Sequence, residues 1–168
     1  AASLTRGNLL VSGNAVSRFA RHKRTYQAGI HWSGVGNSYL RNSLSDAPHA
    51  CFLGGGNEAD SDTLAGVDCR FEGNVIENCT FEGRDAGAFY ITGQKATAFV
   101  NRGNVLRNNT FRGVRNTVPK GAHGFGTVQA VYLDDQMSGW VIESNAFIDC
   151  NIGTWLGGGR RNIVVGNR

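Results

Sequence analysis

The amino-acid sequence predicts an all-β chain wound as a right-handed, single-stranded parallel β-helix, a solenoid of about five to six coils. Three observations lead there. A word at Gly73 to Gly83, "GNVIENCTFEG", returns as "GNVLRNNTFRG" at Gly103 to Gly113. Short runs of β-branched and aromatic residues recur along the chain, and none is long enough for a helix. Glycine numbers 24 against 2 prolines, which suits corners turned through positive φ rather than through rigid proline.

In chain order, an Asn-x-apolar signature falls at Asn14-Ala15-Val16, Asn42-Ser43-Leu44, Cys79-Thr80-Phe81, Asn109-Thr110-Phe111 and Asn145-Ala146-Phe147, with Asn167 closing the series. Intervals of 22 to 37 residues are those of a repeat architecture. Each signature follows one strand-like run: "LLVS", "SYLR", "VIEN", "VLRN" or "WVIES". Each precedes another: "GIHWS", "ACFLG", "GAFYIT", "AVYLDD" or "GTWLGG". Helical solenoids need a sustained 3.6-residue period and leucine-rich repeats their leucine spacing, and neither pattern is present. In a parallel β-helix successive coils lie about 4.8 Å apart, so equivalent residues form columns. A column of inward asparagines would hydrogen-bond from coil to coil and satisfy the corner backbone, with Cys79 as its one break.

The 168 residues, 40% hydrophobic and 10% aromatic, suffice for one β-helix domain over 1–168 and rule out a disordered or collagen-like chain. No apolar run is long enough to predict a membrane span. The net charge of +4 is scattered except for "RFARHKR" at Arg18 to Arg24. Without interleaved stacking aromatics or a recognition module, no nucleic-acid partner is expected. Cys51, Cys69, Cys79 and Cys150 lack zinc-site spacing, so no metal site is expected, and their apolar contexts favour packed free thiols over disulfides. The chain opens without an evident cap and stops at Asn167-Arg168 where other copies continue, so it is expected to be a segment of a longer β-helix whose remaining coils are its partners.

Aligning the second set of strands on Phe52, Tyr90, Tyr132 and Trp155 makes Gly54-Gly55, Thr92-Gly93, Asp134-Asp135 and Gly157-Gly158 equivalent. Only one coil carries carboxylates there. Five places before the aromatic stand Ala47, Asp85, Thr127 and Cys150, so Asp85 is likewise the single acid of its column. An aspartate at a turn often only caps its own backbone. Acids on consecutive coils beside aromatics also match glycoside hydrolysis, where two carboxyl groups stand about 5–5.5 Å apart for retention or about 6.5–9.5 Å for inversion.

These residues carry a resemblance. "GVGNSYLRNSLSDAPHACFLGGGNE", "DAGAFY", "AVYLDDQMSGWVIESNAF" and "IGTWLGGGRRNIVVGN" resemble segments of the right-handed parallel β-helix, pectin-lyase-like proteins. Within them the chain is most similar to the branch containing glycoside hydrolase family 141. The resemblance implies a carbohydrate-active protein, a glycoside hydrolase acting on a cell-wall or extracellular polysaccharide, in an extracellular or periplasmic setting. It implies a catalytic pair of Asp85 with Asp134 or Asp135, and His49 matches the family's Pro-His segment. His49 and His31 would bond sugar hydroxyls or orient a carboxylate, or else be ordinary hydrogen-bonded wall histidines. Tyr90, Tyr132 and Trp155 are candidates to stack on a sugar, although an aromatic at a repeat position also serves a core. Arg84 and Arg160 would meet a carboxylated sugar, or be solvated. No cofactor is expected for hydrolysis. The alternatives are a polysaccharide lyase using calcium, held in part by Asp134 and Asp135, and a non-catalytic carbohydrate-binding or structural β-helix in an extracellular assembly.

Overall fold

Residues 5–54, 66–92, 99–117 and 126–168 are described by a computed structural model of the chain. The strands come in threes. The first coil consists of β1 (Leu10–Ser12), β2 (Ala15–Ser17) and β3 (Ile30–Trp32), and the second of β4 (Ser38–Leu40), β5 (Ser43–Ala47) and β6 (Phe52–Gly54). The third holds β7 (Arg70–Glu72), β8 (Val75–Cys79) and β9 (Gly87–Thr92), and the fourth β10 (Asn104–Arg107), β11 (Thr110–Arg112) and β12 (Gln129–Asp134). The fifth holds β13 (Trp140–Glu143), β14 (Ala146–Ile148) and β15 (Ile152–Leu156), and β16 (Ile163–Val165) opens a sixth. Like strands stack into three parallel sheets: sheet A is β1-β4-β7-β10-β13-β16, sheet B is β2-β5-β8-β11-β14, and sheet C is β3-β6-β9-β12-β15. The chain is a parallel β-helix. No helix among the described residues is long and apolar enough to cross a membrane.

The corner between sheets A and B repeats one conformation. Gly13, Arg41, Gly73, Asn108, Ser144 and Gly166 all have φ between 51° and 71°, a left-handed turn that glycine and asparagine adopt at least cost. The next residue is asparagine in all six coils: Asn14, Asn42, Asn74, Asn109, Asn145 and Asn167. Each of these side chains after Asn14 accepts at Oδ1 from both the backbone N–H and the Nδ2 of the asparagine one coil earlier. Asn74 shows the full pattern: its Oδ1 accepts from Asn42 N at 2.9 Å and Asn42 Nδ2 at 3.0 Å, while its Nδ2 donates to Tyr39 O and Asn109 Oδ1, each at 2.9 Å.

The column is therefore unbroken, and its third member is Asn74 rather than Cys79. The two near-identical words mislead because they serve different corners. Val75 pairs with Thr110, whereas Val105 pairs with Arg70. Gly73-Asn74 turns from sheet A to sheet B, and Gly103-Asn104 turns into sheet A. That second corner is left-handed too, at Gly36, Asp68, Gly103, Gly139 and Arg161, and it carries an asparagine on alternate coils. Asn37, Asn104 and Asn162 accept from the backbone N–H of Leu9, Cys69 and Trp140 at 3.0, 2.8 and 3.1 Å. Accordingly "VIEN" lies in sheet B, and the sheet A strand of its coil is β7, "RFE".

The interior is filled from all three sheets by a continuous apolar column. Trp32, Tyr39, Phe52, Phe71, Phe89 and Trp140 form its aromatic part, with Tyr39 stacked on Phe71 at 4.8 Å and Phe89 edge-on to Phe71 at 4.8 Å. The cysteines depart from the expectation of free thiols. Cys51 and Cys79 form a disulfide, and only Cys69 and Cys150 are free. Ala47 pairs with Cys79 across sheet B, so coil stacking brings the turn at Cys51 onto the end of β8. Nothing in the local context of either cysteine encodes this approach.

Replacing Asn74 by alanine strands the amide of Asn42 and the carbonyl of Tyr39 in a buried corner. The expected cost is about 3 kcal/mol, or a Tm lower by about 6–12 °C for a chain of this length; Asn37→Ala, with fewer partners, should cost about 1 kcal/mol in the same melting experiment. The disulfide closes a loop with a sequence separation of 28, worth about 3.5 kcal/mol by chain entropy. Non-reduced peptide mapping should recover the Cys51–Cys79 link, and Cys79→Ala should lower Tm and make it insensitive to reductant.

Candidate functional site

Alternation along sheet C sends Ile30, Phe52, Phe89 and Val131 inward and the intervening residues outward. The outward column runs His31, Leu53, Tyr90, Tyr132, Trp155. Phe52 does not belong to it. It pairs with Phe89 and is buried in the core, because β9 carries two adjacent aromatics and Tyr90 is the outward one. Ala50, Tyr90 and Tyr132, with Leu53 against them, form a second apolar cluster separate from the core, and the two tyrosine rings stack at 5.1 Å.

The tyrosines carry the acids. Asp134 stands opposite Thr92 at the end of β12. Its Oδ2 accepts from the Tyr90 hydroxyl at 3.0 Å and its Oδ1 from the Asp135 N–H at 2.8 Å. Asp134 and Asp85 both stand close enough to the Tyr132 hydroxyl to raise its pKa, although neither makes a hydrogen bond of normal geometry with it. Asp85 lies exposed on the turn before β9. Two lone acids from consecutive coils thus converge on one phenol. Burial first, and then the negative charge of Asp134 with a contribution from Asp85, holds both phenols well above the usual tyrosine range, so both remain hydrogen-bond donors at any pH the fold meets. Asp135 is used differently: its Oδ2 accepts from Thr92 Oγ1 at 2.6 Å, and its backbone turns at φ 45°. In the next coil Gly157 keeps space clear, since a Cβ there would meet Asp134 Oδ1 at 3.1 Å and Asp135 N at 3.2 Å.

His49 follows Pro48 on the corner between sheets B and C. It is 5% exposed, its ring lies 4.8 Å from that of Tyr26, and its Nδ1 has no partner among the described residues. Gln129 Oε1 is likewise buried without a partner, on the strand that pairs with Gly87 just beyond Asp85. Buried polar atoms are normally satisfied, and these two are among several exceptions that also include the Trp32 and Trp140 indoles of the core. Desolvation pushes the His49 imidazole below its ordinary value, leaving it neutral.

The remaining candidates spread along or away from this cluster. His31 and Trp155 occupy the two ends of the outward column, both exposed. Arg84 is exposed beside Asp85 in the chain. Arg160 is drawn elsewhere, with its guanidinium 4.4 Å over the Phe99 ring. Gly55 and Gly93 of the aligned column lie outside the described residues. Tyr26 and Leu53 belong to the site but sit off the aligned repeat positions, and Thr92, which stands in the aligned column with Asp134, was one of its neutral members. Among the described residues no group of three or more His, Cys, Asp or Glu is placed to hold a metal ion. A cavity of about 340 Å³ lined by Leu40, Arg41, Arg70, Glu72, Gly73 and Asn108 lies on sheet A and its corner, and none of the acids lines it. No family model, curated protein or solved structure matches the chain.

The lowered affinity of His49 for protons has a sign. Below about pH 6.5 the unfolded chain protonates this imidazole while the folded chain keeps it neutral, so its contribution to stability is full above that pH and is lost as pH falls. Melting curves between pH 7.5 and 5 should show Tm falling less steeply with acidification in His49→Phe than in the parent protein.

Proposed function

We propose that the outer face of sheet C hydrolyses a glycosidic bond of a polysaccharide, with Asp85 and Asp134 as the carboxylate pair. The observation that carries this reading is that acids from two different coils meet at one tyrosine pair: Asp134 accepts from the Tyr90 hydroxyl at 3.0 Å, and Asp85 joins it in acting on Tyr132, whose ring stacks on Tyr90. Glycosidases need two carboxyl groups flanking the scissile bond, one to protonate the leaving oxygen and one to attack the anomeric carbon or activate water. Asp134 suits the second role, because hydrogen bonds at both oxygens fix its orientation. By elimination Asp85 takes the acid's place in the pair. Tyr90 and Tyr132 orient the pair, and Asp135 is a turn residue tied to Thr92 rather than a reacting group. The outward column of His31, Leu53, Tyr90, Tyr132 and Trp155 crosses all five coils and offers an extended track for a glycan chain. The disulfide supports an extracellular or periplasmic location, and the converging acids echo the pectin-lyase-like resemblance of the sequence.

Release of reducing ends from a panel of plant and algal polysaccharides tests the reading. Asp134→Asn and Asp85→Asn should each lower turnover by about 10³-fold with an unchanged circular dichroism spectrum, while Asp135→Asn should retain most activity. Undiminished turnover in the Asp85→Asn, Asp134→Asn double variant removes the pair from the mechanism. An ultraviolet-absorbing product whose formation stops with EDTA identifies a calcium-dependent lyase instead, and glycan binding without product identifies a binding module. Tyr90→Phe, which removes the donor to Asp134 Oδ2, should lower kcat by about 10-fold with KM little changed.

A further inference from the structure

The basic run at Arg18 to Arg24 has no role in the coil repeat, yet the fold gives it a place. It belongs to the segment between β2 and β3, and it does not stay on its own coil. Arg24 Nε and Nη2 donate to the two carboxylate oxygens of Glu82, 58 residues along the chain and two coils away. This paired contact is the geometry in which a guanidinium holds a carboxylate most firmly. The segment is a strap, tied down where the third coil turns toward Asp85.

Two residues past the tie comes Tyr26. Its ring packs against that of the buried His49, with centroids 4.8 Å apart and planes tilted by 51°, while the residue is 47% exposed. Its backbone is left-handed at φ 54°, and it is the one aromatic among the described non-glycine residues with positive φ, an uncommon conformation for a bulky side chain. The Tyr26 hydroxyl is also near enough to Tyr90 to act on its ionisation, which puts Tyr26 at the edge of the acid cluster. A residue serving only to cover His49 has no need to stand half exposed, nor for a strap anchored two coils away.

We propose that Tyr26 is a sugar-stacking platform at the edge of the outer face of sheet C, binding the apolar face of a pyranose ring next to the Asp85–Asp134 pair. This rests on the hydrolase reading for the identity of that face. His49 is the brace beneath the platform, and Arg24–Glu82 fixes the strap that carries it. A pyranose presents a flat C–H face of low polarity, which an exposed phenol ring held rigidly from behind can match without ordering a mobile side chain.

Binding and turnover are read separately. Affinity electrophoresis in gels containing soluble xylan or polygalacturonate, run in the Asp134→Asn background, measures binding without cleavage. On whichever polymer retards that background protein, adding Tyr26→Ala should weaken binding about tenfold, Tyr26→Trp should restore it to within about twofold, and Arg24→Gln should weaken it by freeing the strap. Retardation unchanged by Tyr26→Ala overturns the platform whether or not the parent protein cleaves the polymer. Tyr26-dependent retardation with no cleavage by the parent protein leaves the platform standing and removes the hydrolase reading. If neither polymer retards the protein, both ideas fail for these glycans, and the platform as proposed is withdrawn.

Discussion

A coil that turns a corner must leave polar backbone groups behind it, and in this protein one asparagine per coil, buried in the four inner coils, takes them up. The side chain is suited to the task because it offers an acceptor and a double donor in one plane. Asn74 uses both, satisfying the coils above and below and a strand carbonyl beside it. The arrangement works only if the preceding residue is left-handed and the asparagines superimpose, so a local hydrogen-bond requirement becomes a global registry. Once the corner is locked at six levels, the three sheets have little freedom to slip. A slip of one residue would also turn core side chains such as Phe71 and Phe89 outward.

That requirement explains what was legible in the sequence and what was not. The solenoid could be read because one corner places an asparagine after a left-handed residue at recurring intervals, and its walls demand short β-prone runs. The register was harder. Two corners of each coil are left-handed and the second carries an asparagine on alternate coils, so Gly73-Asn74 and Gly103-Asn104 look like copies although one leads out of sheet A and the other into it. Similarity between words reported a shared local geometry, not a shared place in the stack. The slip from Leu53 to Phe52 has the same origin. Alignment on aromatic character cannot choose between Phe89 and Tyr90, whereas the pleat does so at once by sending one inward. The Cys51–Cys79 link was invisible because it joins two turns whose proximity exists only after the coils have stacked.

The acids were legible for the opposite reason: they violate the column to which they belong. Stacked coils favour repetition, and Gly157 beside Asp134 shows how small the neighbouring position has to be. An acid that appears once in such a column is not asked for by the scaffold. Sequence reasoning treated Asp134 and Asp135 alike, however, and their difference is a matter of partners. Asp134 faces the buried phenols, while Asp135 turns away to Thr92. The same limit hid Tyr26, whose position depends on a strap with no repeat to betray it.

The strap also departs from the logic of a repeat protein. In a solenoid each unit touches only its neighbours, and stability is close to a sum of unit and nearest-neighbour terms. Here Arg24 of the first coil reaches Glu82 beyond β8 in the third, while Tyr26 rests on His49 of the second. The ion pair itself is exposed and contributes little energy, so its effect lies in geometry rather than in stability. It links the position of one aromatic ring to the turn that carries Asp85. The disulfide acts on the same region from below, joining the turn two residues beyond His49 to the end of β8, three residues before Glu82. Two cross-links of different strength therefore meet around one corner, and that corner is the one beside the acids. Arg6–Asp68 makes a tie of similar reach at the corner into sheet A, but only the corner beside the acids joins an ion pair of that reach to a disulfide.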